Sequence, residues 1–164
     1  MSEVGYISLN KYMLSHPRLS KLAVFLCHAI TALVYLTYPV FLLAVYGWTD
    51  AFPIKIVLVP LISLIIVSII RRLLNVPRIY ETYDITPLYN KKTKGQSFPS
   101  LHAFAIFIIS FTIYLVFKEI GIALFILGVV LAMLRVIIGV HYVRDVLGGL
   151  LCAIISALIG YIII

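Results

Sequence analysis

The chain has 164 residues, of which 63% are hydrophobic and only 12% are charged, and its formal net charge is +7. A water-soluble domain typically has about 45–50% apolar and about 25% charged residues. This excess of apolar residues excludes a globular protein in water and leaves no length for a separate soluble domain. The composition therefore predicts an all-α, polytopic membrane helical bundle that forms a single domain over residues 1–164.

Residues 1–21 mix apolar and polar side chains, which predicts an amphipathic segment lying at the membrane interface, with an irregular N-terminal tail as the alternative. They lack the basic region and cleavage site of a signal peptide, so we expect the first span to direct insertion. That span runs from about Leu22 to Tyr46 and is interrupted by Pro39. It is longer than the roughly 30 Å hydrocarbon layer requires, which predicts a tilt or a kink.

Four more apolar runs follow, which gives about five transmembrane helices in all. The later spans are predicted at residues 54–74, 100–117, 120–138 and 141–164. A turn with an interfacial tryptophan, residues 47–53, precedes the second span, and a long polar loop, residues 75–99, precedes the third. The two cysteines, Cys27 and Cys152, lie in apolar runs without motif spacing, so neither a disulfide nor a metal site is expected.

Polar residues gather at one end of this predicted bundle. Because successive spans alternate in direction, the exits of spans two and four and the entries of spans three and five lie at the same membrane face. The residues at these places are Arg71, Arg78, Ser100, His102, Arg135, His141 and Asp145. Charged residues at a bilayer are costly and by default mark a functional site. We therefore expect a single site, with the loop of residues 75–99 as part of it.

The chemistry of this site follows from its residue types. His141 and Asp145 are four residues apart and would be neighbours on one face of a helix. The carboxylate can accept one imidazole N–H and leave the other nitrogen free as a nucleophile or base. A second histidine, His102, is available to protonate a departing oxygen.

The remaining groups are donors suited to a tetrahedral oxyanion. They are three arginines, the hydroxyl of Ser100 and the free N–H groups that open the third span. No carboxylate cluster suited to Mg²⁺ and no set of zinc ligands accompanies the histidines, so no metal and no cofactor are expected. The pattern favours a metal-free phosphatase with two catalytic histidines and a phosphohistidine intermediate.

Three segments also carry a resemblance to a known family. They are Arg71, six residues and Arg78-Ile79; then Pro99-Ser100-Leu101-His102; then Leu134-Arg135, five residues, His141, three residues and Asp145. In this order and at the ends of spans, they resemble the motifs of the type-2 phosphatidic acid phosphatases. These are integral-membrane lipid phosphatases related in their site to glucose-6-phosphatase and the vanadium haloperoxidases.

The resemblance implies a role for each motif residue. It makes His141 the nucleophile, Asp145 the carboxylate that orients it, and His102 the general acid that later activates water. The implied phosphate-binding groups are Arg71, Arg78, Ser100, Arg135 and the main-chain N–H of Leu101.

The chain departs from the family's motifs at four positions. Arg71 replaces lysine, Ile79 replaces proline, Leu101 replaces glycine and Leu134 replaces serine. None of these residues forms or breaks a bond in the implied reaction. The departures therefore bear on substrate preference and rate more than on activity.

The implied substrate is a phosphate mono- or diphosphate ester of a membrane lipid, of the undecaprenyl diphosphate, phosphatidylglycerophosphate or phosphatidic acid class. Two alternatives stay open: a lipid phosphotransferase with an acceptor other than water, and a non-catalytic lipid-phosphate binder or transporter. The expected partners are this substrate and the bilayer, with no nucleic acid. The oligomeric state is not predicted.

Two arguments about membrane orientation conflict. Most basic residues lie on the face with the site, which the positive-inside rule would place in the cytoplasm. The family's site usually faces outward. We follow the resemblance, because phosphate binding accounts for most charges on this face without the positive-inside rule. The expectation is an integral protein of the plasma or inner membrane with its active site facing outside.

Overall fold

The computed structural model describes residues 1–48, 53–89 and 93–163. All regular elements in these ranges are helices, which confirms the predicted all-α fold. They are α1 (Glu3–Ser15), α2 (Pro17–Trp48), α3 (Lys55–Leu74), α4 (Ile79–Thr82), α5 (Leu101–Tyr114), α6 (Lys118–Ile137) and α7 (Val143–Ala157), and α7 continues as a π-helix (Leu158–Ile163). Most of the turn predicted at residues 47–53 and part of the loop predicted at residues 75–99 lie outside the described residues.

Four of these helices have the length and hydropathy of membrane spans, namely α2, α3, α6 and α7 with its π-helical extension. The predicted third span differs, because α5 has only 14 residues. At 1.5 Å per residue it is about 21 Å long, less than the roughly 30 Å hydrocarbon layer. It packs against α2, α3, α6 and α7, and almost all of its side chains are buried. The helix α5 is thus the centre of the bundle.

The N-terminal residues form a helix, and the first span begins earlier than predicted. Helix α2 begins at Pro17 rather than Leu22, because proline lacks the N–H that a first helical turn leaves unbonded. Pro39 lies within α2 and does not end it. The preceding residues form α1, and its residues Tyr6, Asn10 and Met13 are buried against the rest of the protein.

A glycine brings the N-terminal ends of α5 and α7 together. A Cβ atom at Gly149 would lie 2.6 Å from the carbonyl oxygen of Ser100 and 3.0 Å from the Cβ of Ala103. Small residues permit such close helix contacts in membranes. Next to this contact, the Ser100 N–H donates to the carbonyl of Asp145 at 2.9 Å. The predicted entries of spans three and five are therefore held side by side.

Candidate active site

The predicted site residues come from separate elements that meet at one end of the bundle. Arg71 lies in the last turn of α3 and Arg135 in the last turn of α6, whereas Arg78 precedes α4. Arg71 interacts electrostatically with Arg78, Arg135 and Asp145. His141, in the turn between α6 and α7, interacts electrostatically with Arg78 and Arg135. Residues that are distant in the chain thus share one charged site.

The Asp145 carboxylate holds His141. The Nδ1 atom of His141 lies 3.3 Å from Asp145 Oδ2, which also accepts the N–H of Tyr142 at 3.0 Å. His141 precedes α7 and is not on a helical face. The contact predicted from the four-residue spacing is present, but a helix cap produces it. Asp145 is the third residue of α7, and its side chain folds back to bind the N-cap residue Tyr142. With Nδ1 at the carboxylate, Nε2 is the nitrogen left for chemistry.

Ser97 is a site residue that the sequence analysis did not include. Its buried hydroxyl donates to Asp145 Oδ2 at 2.5 Å and lies 3.5 Å from Nδ1 of His141. Its N–H donates to the carbonyl of Val76 at 2.8 Å, which joins the two ends of the loop. The only available signal was its position just before the second motif. Ser97 therefore adds a second contact that fixes the histidine–carboxylate pair.

The three arginines and Ser100 each bury at least one hydrogen-bond donor that has no partner among the described residues, although Nη1 of Arg135 donates to the Tyr89 hydroxyl at 3.4 Å. Arg71, Arg78, Arg135 and Ser100 are all buried. The atoms without a hydrogen-bond partner among the described residues include Nε of each arginine, Nη1 of Arg78 and Oγ of Ser100. Buried polar groups in proteins are nearly always hydrogen-bonded. A cluster of unsatisfied donors is therefore typical of a binding site for a ligand with acceptor atoms. An oxyanion has the matching charge and acceptors.

Glu81 connects the first two motifs through the main chain. Its Oε1 accepts the N–H of Arg78 at 3.0 Å and the N–H of Gly95 at 2.7 Å. The carboxylate therefore caps α4 and anchors the residues that lead to the second motif. Glu81 binds Arg78 through its backbone N–H, which leaves donors of the guanidinium group available.

The start of α5 contributes the remaining predicted groups. Leu101 and His102 form its first turn, and both are partly exposed. The Leu101 N–H is one of the N-terminal groups that a helix leaves without an internal acceptor. His102 lies two residues after Ser100, whose main chain binds Asp145. Among the described residues, no group of three or more His, Cys, Asp and Glu side chains could hold a metal ion.

The surroundings of His141 favour its neutral form. Only 2% of this residue is exposed. Burial and the positive charges of Arg78 and Arg135 lower the pKa of His141 to about 4, although the hydrogen bond and charge of Asp145 act in the opposite direction. At pH 7 the imidazole is therefore neutral, and Nε2 carries a lone pair.

Comparison with known proteins shows the family of this chain. The sequence model of the PAP2 superfamily matches residues 52–164, which include every residue predicted for the site. The chain therefore belongs to the PAP2 superfamily, and the family suggested by the three motifs is confirmed. No curated protein sequence matches the chain at a significant level.

The fold is similar to two solved structures. One is a transmembrane PAP2-type phosphatidylglycerolphosphate phosphatase from Bacillus subtilis, with a TM-score of 0.73 and 17% identity, over 96% of this chain and 83% of that chain. The other is LpxE from Aquifex aeolicus, with a TM-score of 0.70 and 24% identity, over 90% of this chain and 93% of that chain. The membrane bundle is thus that of known PAP2-type structures.

The contacts of Ser97 predict a loss of stability when its hydroxyl is removed. We expect Ser97→Ala to destabilise the protein by about 1.5–3 kcal/mol, the usual range for a hydrogen bond to a charged group. Thermal unfolding in detergent measures the effect. Ser110→Ala is the matched control, because that buried hydroxyl donates to the carbonyl of Ile106 in its own helix, an uncharged acceptor. Equal shifts of the unfolding temperature for the two variants would contradict a hydrogen bond from Ser97 to the charged Asp145.

The lowered pKa of His141 predicts the pH at which its ring gains a proton. The ring should stay neutral from pH 8 to about pH 5 and gain a proton only near pH 4. Nitrogen-15 NMR of histidine-labelled protein, assigned with a His141→Ala variant, measures this directly. Because the unfolded chain binds this proton near pH 6.5, His141 should make the folded state progressively less stable as the pH falls from about 6.5 to 4. A ring that titrates near pH 6.5 in the folded protein would contradict the assigned environment.

Proposed function

We propose that this protein is a metal-independent lipid phosphatase that hydrolyses a phosphate mono- or diphosphate ester of a membrane lipid through a phosphohistidine at His141. One observation carries the proposal: buried donors of three arginines and Ser100, without a hydrogen-bond partner among the described residues, belong to the same charged cluster as the histidine that Asp145 holds. Membership in the PAP2 superfamily supports it.

Phosphate is the anion that best fits these donors. A single arginine costs about 2.5–3.5 kcal/mol at a bilayer centre on insertion scales, and less near an interface. Asp145 supplies one negative charge. Its Oδ2 contacts His141, Ser97 and Tyr142, and its Oδ1 lies 3.7 Å from Nε of Arg144. A phosphate group offers both the negative charge and several acceptor oxygens, so it can satisfy the three guanidinium groups together.

The first chemical step is attack of His141 on phosphorus. The Nε2 lone pair forms the N–P bond to the terminal phosphorus. At the same time the bond from that phosphorus to the leaving oxygen breaks; this oxygen belongs to the lipid alcohol or, in a diphosphate, to the lipid monophosphate. The guanidinium groups stabilise the charge on the transferring phosphoryl group. Asp145 stabilises the imidazole ring as it becomes positive, and His102 donates a proton to the departing oxygen.

The second step returns the enzyme to its starting state. His102, now neutral, takes a proton from water, and the oxygen of that water attacks the phosphorus of the phosphohistidine. The N–P bond breaks and its electron pair returns to Nε2 of His141. Inorganic phosphate is released, and both histidines recover their initial protonation.

The lipid class follows from the location of the site. The donors lie at the end of apolar helices, where a headgroup can reach them while its hydrocarbon chains stay in the bilayer. The similar B. subtilis protein is described as a phosphatidylglycerolphosphate phosphatase, which supports phosphatidylglycerophosphate as a substrate. Undecaprenyl diphosphate and phosphatidic acid are further candidates. We propose an outward-facing site in the plasma or inner membrane, on the family resemblance.

The departures from the family's motifs are compatible with this reaction. Ile79 is fully buried in a small cluster with Tyr6, Ile85 and Tyr142, so it packs the loop beside the site. Leu134 is buried in the main core. Both replacements therefore add apolar packing around the site, and the reacting groups remain.

The test is phosphate release in detergent from a panel of the three lipid classes. We expect activity that persists in EDTA, is inhibited by vanadate and falls by at least about 10³-fold in His141→Ala, as for other removed nucleophiles. His16→Ala is the matched control, because this exposed residue lies at the corner between α1 and α2. It should retain wild-type activity.

Other outcomes separate the alternatives. Wild-type activity in His141→Ala would reject the catalytic role, and EDTA-sensitive activity would reject the metal-independent mechanism. Tight lipid-phosphate binding without turnover would favour the binder or transporter. Phosphate that passes to a second lipid rather than to water would identify a phosphotransferase.

A further inference from the structure

Helix α1 lies against the turn that carries His141. It precedes residues 52–164, which match the superfamily model, so the motifs assign it no role. Its buried residues are Tyr6, Asn10 and Met13. Two of these, Tyr6 and Asn10, make specific hydrogen bonds to segments beside the site.

Tyr6 binds the start of α7. Its hydroxyl oxygen accepts the N–H of Val143, the first residue of that helix, at 3.0 Å. This N–H has no acceptor within its own helix. The Tyr6 ring meets the Tyr142 ring edge-on, with centroids 5.7 Å apart, and stacks with Tyr83 at 6.3 Å. Tyr6 therefore fixes the residues that immediately follow His141.

Asn10 holds the other side of the same turn through the loop beside it. Its side-chain nitrogen donates to the carbonyl of Thr86 at 2.8 Å, and its oxygen accepts the N–H of Thr86 at 3.1 Å. Two residues further along, the N–H of Leu88 donates to the carbonyl of Ile138 at 3.1 Å. Asn10 is itself buried, with both halves of its amide satisfied.

The turn between these contacts has little room to move. Gly139 has φ +74, and a Cβ atom there would lie 3.2 Å from Cγ2 of Ile85 and 3.5 Å from Nδ2 of Asn10. The backbone therefore passes closely between α1 and the loop that Asn10 binds. His141 lies between this glycine and the tyrosine that packs on Tyr6.

We propose that α1 is a positioning element for His141, with Tyr6 and Asn10 as its positioning residues. This inference rests on the proposed function for its effect on catalysis. Attack on phosphorus requires Nε2 at a defined distance and angle, and displacements of about 1 Å can cost as much as about 100-fold in rate. By holding the backbone before and after His141, α1 limits such displacements.

The test compares Tyr6→Phe with Tyr12→Phe. Both variants lose one hydroxyl from α1, but Tyr12 is exposed and its ring packs on His16 instead. We expect Tyr6→Phe to lower kcat about three- to tenfold with KM changed less than about twofold, because other elements bind the phosphate. Tyr12→Phe should match the wild type. Asn10→Ala should resemble Tyr6→Phe, with the exposed Lys11→Ala as its control.

A second readout does not depend on activity. In Tyr6→Phe, a looser turn should admit water and bring the pKa of His141 closer to its ordinary value, as seen by nitrogen-15 NMR. If the wild type lacks phosphatase activity, the proposed function fails, but this titration still tests the positioning role. Wild-type kinetics or a wild-type His141 titration in both Tyr6→Phe and Asn10→Ala would overturn the inference.

Discussion

The structure depends on burying three guanidinium charges at one end of an otherwise apolar bundle. Buried charge is costly unless it is paired, and Asp145 supplies a single negative charge beside three buried arginines. Arg71 and Arg135 lie in the last turns of their helices, where the helix dipole favours positive charge. A bound oxyanion would supply the remaining compensation. Burying these positive charges costs free energy when no anion is bound. The same charges would make the site selective for an anionic ligand.

The packing of α5 against α7 joins the proposed anion site to His141, the proposed nucleophile. Gly149 allows the two helices to touch, and the Ser100 N–H binds the main chain of Asp145. The serine of the second motif and the carboxylate of the third therefore share a rigid contact. The turn with His141 is then confined by α7 on one side and by the loop bound to α1 on the other. The site is built from helix ends, and the contacts between these ends fix the positions of its side chains.

Much of this arrangement could be predicted because it follows from alternating spans. Alternation of five spans predicts that the ends of α3 and α6 and the starts of α5 and α7 share one face. The structure brings these ends together, although α5, with 14 residues, is shorter than a full span. Ser97 could not be predicted, since a serine in a polar loop has no periodicity and its partner is distant in the chain. The docking of α1 depends on the long-range bonds from Tyr6 and Asn10, which local patterns do not contain. The spacing of His141 and Asp145 predicted their contact but not the helix cap that produces it.

The most direct test of the account is chemical trapping of the intermediate on His141. Protein mixed with a ³²P-labelled lipid phosphate and denatured within milliseconds should carry label that is stable in base and labile in acid, as expected of a phosphoramidate. Mass spectrometry should locate it on the peptide with His141. In His102→Ala, which lacks the proton donor of the first step and the base of the second, the label should both form and disappear more slowly. Turnover without any labelled protein, or label on a residue other than His141, would contradict the account.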